Sequence, residues 1–212
     1  MLRENRVAGM ADTLLQAPRE MPVYVVPGNV MDAVAGFHLH RGVLGIGRKR
    51  EPETPDALLR GLGRRALVVA CVGIANHDNM GAIFRNAAAF GADAVLLDST
   101  CCDPLYRKAI RVSVGAALQV PFATASSAAL IEACSAHGFE AMALSPRGAL
   151  ALHAVPRPDR LALFMGAEGE GLPAQMLGRM TTARIAMAGR LDSLNVAAAS
   201  AIALHHFADR LD

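Results

Sequence analysis

The sequence predicts an α/β domain with a mostly parallel sheet, preceded by a smaller α/β segment. Three observations predict it. From Ala66 onward, short apolar runs alternate with stretches of helical periodicity, the order of successive βα units. The run Ala66–Ile74, ALVVACVGI, is apolar without interruption, as expected of a strand covered on both faces. Two later runs, Leu161–Met165 and Ala183–Met187, run out into Gly166 and Gly189, and the second leads to a terminal helix of almost only Ala, Val, Ile and Leu.

Residues 1–20 are polar and weakly periodic. Pro22–Val26 (PVYVV) reads as a strand closed by Pro27-Gly28 and Val43–Gly47 (VLGIG) as a second, with helical residues 30–40 between them. That fragment, 1–50, is thin for a core of its own. Proline, glycine and charge follow in quick succession, which marks 51–65 as a linker to a domain over 66–212. Within the domain a helix is expected from Met80 to Phe90, stopped by Gly91, and another over Pro104–Ile110. Strands are expected at Ala94–Leu97, Leu118–Phe122 and Phe139–Leu144. A helix capped by Ser126-Ser127 runs to His137, and the last helix covers 194–209. Ser145–Gly148 is a turn, and Pro173 suits the first turn of a short helix.

Hydrophobic residues make up 53% of the chain, yet no run of eighteen is apolar throughout, so no membrane span is expected. The first fifteen residues mix acids with bases and hold no apolar stretch like that of a signal peptide. Cys71, Cys101, Cys102 and Cys134 show no CxxC spacing and no pairing with histidines. No metal site is expected from them, and the compartment they suit is reducing, hence cytoplasmic. A net charge of +2 neither requires nor excludes a nucleic acid. Nineteen of the 21 basic residues are arginine, including two of the cluster Arg48-Lys49-Arg50. Arginine suits bidentate phosphate contacts, although an Ala- and Arg-rich composition accounts for most of them without any function.

Short motifs lie where open α/β sheets bind ligands, at the carboxyl ends of strands. The first is Asn79-Met80-Gly81-Ala82-Ile83-Phe84-Arg85-Asn86, and the second is Ser113-Val114-Gly115-Ala116. The third is Met165-Gly166-Ala167-Glu168-Gly169-Glu170-Gly171-Leu172. The fourth runs from Ile185 through Met187 and Gly189 to Ser193-Leu194-Asn195-Val196. Singly, each has a plain structural reading: Asp78 or Asn79, and Ser193 or Asn195, as helix caps, and the glycines as a turn. GxxGxG late in a chain is not the GxGxxG of a dinucleotide site, and GxxxxGK[ST] does not occur. A nucleotide-dependent oxidoreductase therefore fails on glycine spacing.

Together and in this order, the motifs resemble the SpoU/TrmH family of SPOUT methyltransferases, from about Ala66 to Phe207. The resemblance implies a SPOUT-type α/β knot, with a deep C-terminal trefoil, and a homodimer whose site is completed across the interface. It implies S-adenosylmethionine as cofactor, held largely by backbone around Leu144, Gly166, Gly169, Gly171, Ile185, Met187 and Leu194. The family's catalytic arginine matches Arg85, and its supporting polar residues match Asn79, Glu168, Ser193 and Asn195, with Glu168 fixing the glycine loop or Arg85 itself. The implied reaction is methyl transfer to a ribose 2′-hydroxyl of tRNA or rRNA. Residues 21–50 resemble the closing part of an L30e-like RNA-binding domain, which tilts the expectation to rRNA. Arg48, Lys49, Arg50, Arg111 and Ser113 are the candidate RNA contacts. The alternative is a non-catalytic RNA-binding or ribosome-assembly protein that keeps the fold, against which the intact polar set argues.

Overall fold

The computed structural model describes residues 1–189 and 191–208, in two compact units, Met1–Glu51 and Pro52–Asp212. The first unit holds β1 (Leu2–Arg3), α1 (Ala11–Leu15), β2 (Val25–Val26) and α2 (Gly28–Ala35). β1 and β2 pair in parallel, Leu2 opposite Val25. The strand expected over 22–26 is thus two residues long, and the one over 43–47 shrinks to a single antiparallel bridge from Val43 to Leu2. A strand extends only as far as a neighbour satisfies its backbone, and the neighbour here is two residues long. α2 stops at Gly36, whose φ of 77° suits glycine, so 37–40 are not helical.

The second unit opens with α3 (Pro55–Arg60), inside the stretch expected to be a linker. The Thr54 hydroxyl accepts from the Ala57 N–H and Pro55 fills the first turn, so the proline that looked like loop punctuation starts a helix. Then come β3 (Ala66–Cys71), α4 (His77–Ala89), β4 (Ala94–Asp98), α5 (Arg107–Val112), β5 (Phe122–Ala125) and α6 (Ser127–Ala136). They are followed by β6 (Glu140–Leu144), β7 (Leu150–Ala151), β8 (Arg160–Met165), α7 (Ala174–Leu177), β9 (Thr181–Arg184) and α8 (Val196–Phe207). α4 starts before Met80 because the Asn76 side chain, not Asp78 or Asn79, caps it by accepting the Asp78 N–H. β5 begins only at Phe122, since residues 116–118 turn as a 3₁₀ helix after Gly115. β9 ends at Arg184, short of Ile185 and Met187. The expected last helix begins at Val196; its position 209 lies outside the described residues.

Among the described residues, seven strands make one parallel sheet in the order β5-β4-β3-β8-β6-β9-β7. β3, β4 and β5 step one way; β6 starts on the far side, and β8 then enters between β3 and β6. β9 likewise enters between β6 and β7. Alternation divides the core. Leu67, Val69 and Cys71 pack with Ile83, Phe84, Leu204 and Phe207 on the α4/α8 side. Val68, Ala70 and Phe164 pack with Leu59, Leu130 and Cys134 on the α3/α6 side. The Arg160 guanidinium stacks on Phe139, 4.3 Å to the centroid, and donates to the carbonyls of Leu59, Leu62 and Gly63, fastening α3 to the sheet.

Candidate active site

A cavity of about 810 Å³ opens at the carboxyl ends of β6, β8 and β9, where the strand order doubles back. Its walls are the loops after those strands and the start of α8. All the expected cofactor residues line it: Leu144, Gly166, Gly169, Gly171, Ile185, Met187 and Leu194. Glu168, Ser193 and Asn195 line it too. The glycine loop closes on itself, with the Gly171 N–H donating to the Ala167 carbonyl at 3.0 Å. A Cβ on Gly166 would stand 2.2 Å from the Gly171 carbonyl carbon, so no other residue fits that closure.

Asn195 is the hub. Its Oδ1 accepts the N–H groups of Ala197 and Ala198, at 2.9 and 3.2 Å, and so caps α8. Its Nδ2 donates to Asn79 Oδ1 at 2.9 Å and Glu168 Oε1 at 2.7 Å. Two oxygens facing nitrogen and two N–H groups facing oxygen assign the amide orientation. One side chain therefore ties the first turn of α4, the glycine loop and the start of α8 together. Glu168, in the glycine loop, has Asn195 as its partner and not Arg85.

Arg85 stands apart from this hub. It is exposed on α4, six residues past Asn79 or about 9 Å of helix rise, and does not line the cavity. Arg111 is exposed on α5, and Arg48, Lys49 and Arg50 are exposed near the end of the first unit. Ser113 is not available to RNA: it is 1% exposed. Its hydroxyl donates to the Ile110 carbonyl and accepts from the Ala117 N–H, closing α5 onto the next turn.

Several residues of the site escaped the sequence reading. Asn86 donates 2.8 Å bonds to the Ala197 carbonyl and to the Ser200 hydroxyl, joining α4 to α8. A serine in an otherwise apolar helix was the available signal. Asp98, buried at the end of β4, accepts from the Gly73 N–H, the Thr100 N–H and the Thr100 hydroxyl, and holds the turn after β3. Cys101 donates its S–H to the Cys71 carbonyl. Burial pushes the Cys101 thiol up to about 11 and Cys134 up to about 12, so both stay protonated near neutrality. Among the described residues no group of three His, Cys, Asp or Glu is arranged to hold a metal ion, and no helix is long and apolar enough to cross a membrane.

The model of the SpoU rRNA Methylase family matches residues 66–205. An uncharacterized tRNA/rRNA methyltransferase of Mycobacterium tuberculosis is 41% identical over 211 residues, 95% of this chain and 70% of the relative. Among solved structures, an AdoMet-bound rRNA methyltransferase from Sinorhizobium meliloti superimposes with a TM-score of 0.78 at 24% identity, over 97% of this chain and 77% of its own. That likeness speaks for the fold. An RNA 2′-O ribose methyltransferase matches with a TM-score of 0.64 at 28% identity, over 76% of this chain and 58% of its own. A match that takes in every motif around the Asn195 hub, with 41% identity along nearly the whole sequence, means that the chain belongs to the SpoU family of RNA methyltransferases.

Proposed function

We propose that this chain transfers methyl from S-adenosylmethionine to a ribose 2′-hydroxyl of structured RNA, with rRNA favoured over tRNA. The observation that carries the proposal is the Asn195 hub in the lining of a cavity at the strand ends. The residues fit the cofactor. Leu144, Ile185, Met187 and Leu194 offer an apolar wall for an adenine ring, and the glycines let backbone approach it. Glu168, Glu170 and Asp192 bring carboxylates to the lining, complementary to a sulfonium and an ammonium group.

The cofactor, when bound, supplies a methyl group already activated on a sulfonium. The chain must then place the hydroxyl in line and provide for its proton. A guanidinium is a poor base in water, with a pKa above about 12. Arg85 therefore orients the hydroxyl and its neighbouring phosphate and stabilises the developing alkoxide. Asn79 and Asn195 hold the α4 start against the glycine loop, Glu168 anchors that loop, and Ser193 contributes a hydroxyl to the lining. Arg48, Lys49, Arg50 and Arg111 contact RNA phosphates, the first three from an L30e-like arm.

The entry of β8 and β9 between strands laid down earlier supports a knotted C-terminal segment. The outer side of α8, with Ala198 exposed and Ile202 44% exposed, supports a homodimer through that helix. Four unpaired thiols suit the cytoplasm.

The test is tritium transfer from labelled AdoMet into total RNA lacking this modification, beside Arg85→Ala. Label is expected in one rRNA species as a 2′-O-methyl nucleoside, falling by roughly 100-fold in Arg85→Ala. Label on a base would overturn the ribose assignment. No label, with calorimetry showing AdoMet bound, would favour the non-catalytic RNA-binding protein.

A further inference from the structure

We infer that His77 and Tyr106 form a stacking platform for an unpaired nucleobase of the RNA substrate, flanked by phosphate contacts from α5. The inference rests on the RNA reading proposed above and adds residues that position the substrate. The two rings are in contact, with centroids 4.5 Å apart and planes tilted by 46°. His77 opens α4, two residues ahead of Asn79, so the pair stands at the same end of the sheet as the Asn195 hub. Tyr106 remains 45% exposed. The chain has only two tyrosines and no tryptophan, so an aromatic ring left open beside the hub is a scarce resource.

Packing alone does not account for it. α5 is already seated on α4: a Cβ on Gly81 would fall 2.6 Å from the Ala109 carbonyl oxygen and 2.8 Å from Val112 Cβ. Lys108 Nζ also reaches Asp78 Oδ2 at 2.6 Å, which ties the starts of the two helices. The seam is closed without the ring pair, which gives the ring pair a rigid base. The helix that Tyr106 precedes reads RKAIRV, and its Arg107, Lys108 and Arg111 are all exposed. Arg85 lies on the Asp78 face of α4, seven residues or about two turns on, and is exposed. An open ring among cations, with no acid on α5, suits one splayed base and the phosphates on either side of it.

The test uses the full chain with Tyr106→Trp, whose indole is the only one present. A short single-stranded oligoribonucleotide of mixed sequence is expected to quench its emission, and the same strand annealed to its complement to quench several-fold less. In the methylation assay on total RNA, Tyr106→Ala is expected to raise KM for RNA about tenfold at unchanged kcat, with Tyr106→Phe close to the parent. Equal quenching by both RNAs, or an unchanged KM in Tyr106→Ala, overturns the platform. So does a change of oligomeric mass in Tyr106→Ala at unchanged KM, which would make the pair part of an interface between copies. If the parent chain transfers no methyl at all, the methyltransferase reading falls by itself, and the quench alone decides the platform.

Discussion

In the unit Pro52–Asp212, the strands at the centre of the sheet send alternate residues into two cores, while in Met1–Glu51 the buried hydrophobic residues among those described are Leu2 and Met31. The shorter unit instead leaves Leu15 at 85% exposure, Ile46 at 97% and Tyr24 at 62%. It is held by polar contacts. Asp32 accepts from Arg3 and the Leu39 N–H and pairs with His38, and the amino terminus donates to the Leu44 carbonyl. Burial stabilises by about 25 cal/mol per Å² of apolar surface, whereas exposed ion pairs contribute little. The lesson is that one chain carries a rigid chemical frame and a segment that opens at small cost.

The sharpest way to break that contrast is at the cores. Phe164→Ala is expected to cost about 3–5 kcal/mol and to lower the melting temperature of the second unit. Met31→Ala should leave that transition in place while exposing residues 1–51 to protease. Equal effects on the main transition would mean that the two units fold as one.

Next in size, Gly166→Ala forces the glycine loop to shift, because the added Cβ meets backbone at 2.2 Å. Calorimetry is expected to find AdoMet affinity reduced by about tenfold or more, and parental affinity would show that the loop adapts. Asn195→Ala removes a helix cap and two donated bonds, for about 1–2 kcal/mol. Asn195→Asp keeps the cap but sets a carboxylate against Glu168, so it should retain more stability than activity. Thermal melts and methyl transfer, measured side by side, would distinguish the two.

The smallest effect is that of acid on the first unit. The Leu39 N–H, then His38 and Arg3, hold the Asp32 carboxyl down at about 2. Its folded value lies below its unfolded one, so its contribution is present above about pH 4 and is lost as pH falls toward 2. Chemical shifts of residues 1–51 should follow that loss, and Asp32→Asn should abolish it. A hydrogen bond from His137 lowers Asp56 in the same direction, so the second unit also loses a contribution of that sign in acid.

Where the sequence was legible, the signal was local. The run Ala66–Ile74 announced a doubly covered strand because burial on both faces leaves no polar alternation. The ordered motifs pointed to Asn79, Glu168, Ser193 and Asn195, and Asn79, Glu168 and Asn195 meet through hydrogen bonds. β7 left no trace, since two residues carry no period, and α3 was hidden under Pro55, which marks loops and helix starts alike. Ser113 looked like a contact and proved to be a buried closure, because a motif specifies residue types and not which of them face solvent.

The sequence by itself determined the α/β alternation, the family and the polar residues that gather around the cavity, all properties of residue type and near spacing. The tertiary structure decided that β8 and β9 enter between earlier strands and that the cavity forms where they end. It also decided that Asn195 reaches Asn79 across 116 positions of chain. Such contacts depend on which apolar faces find each other in three dimensions, and no local period records that choice.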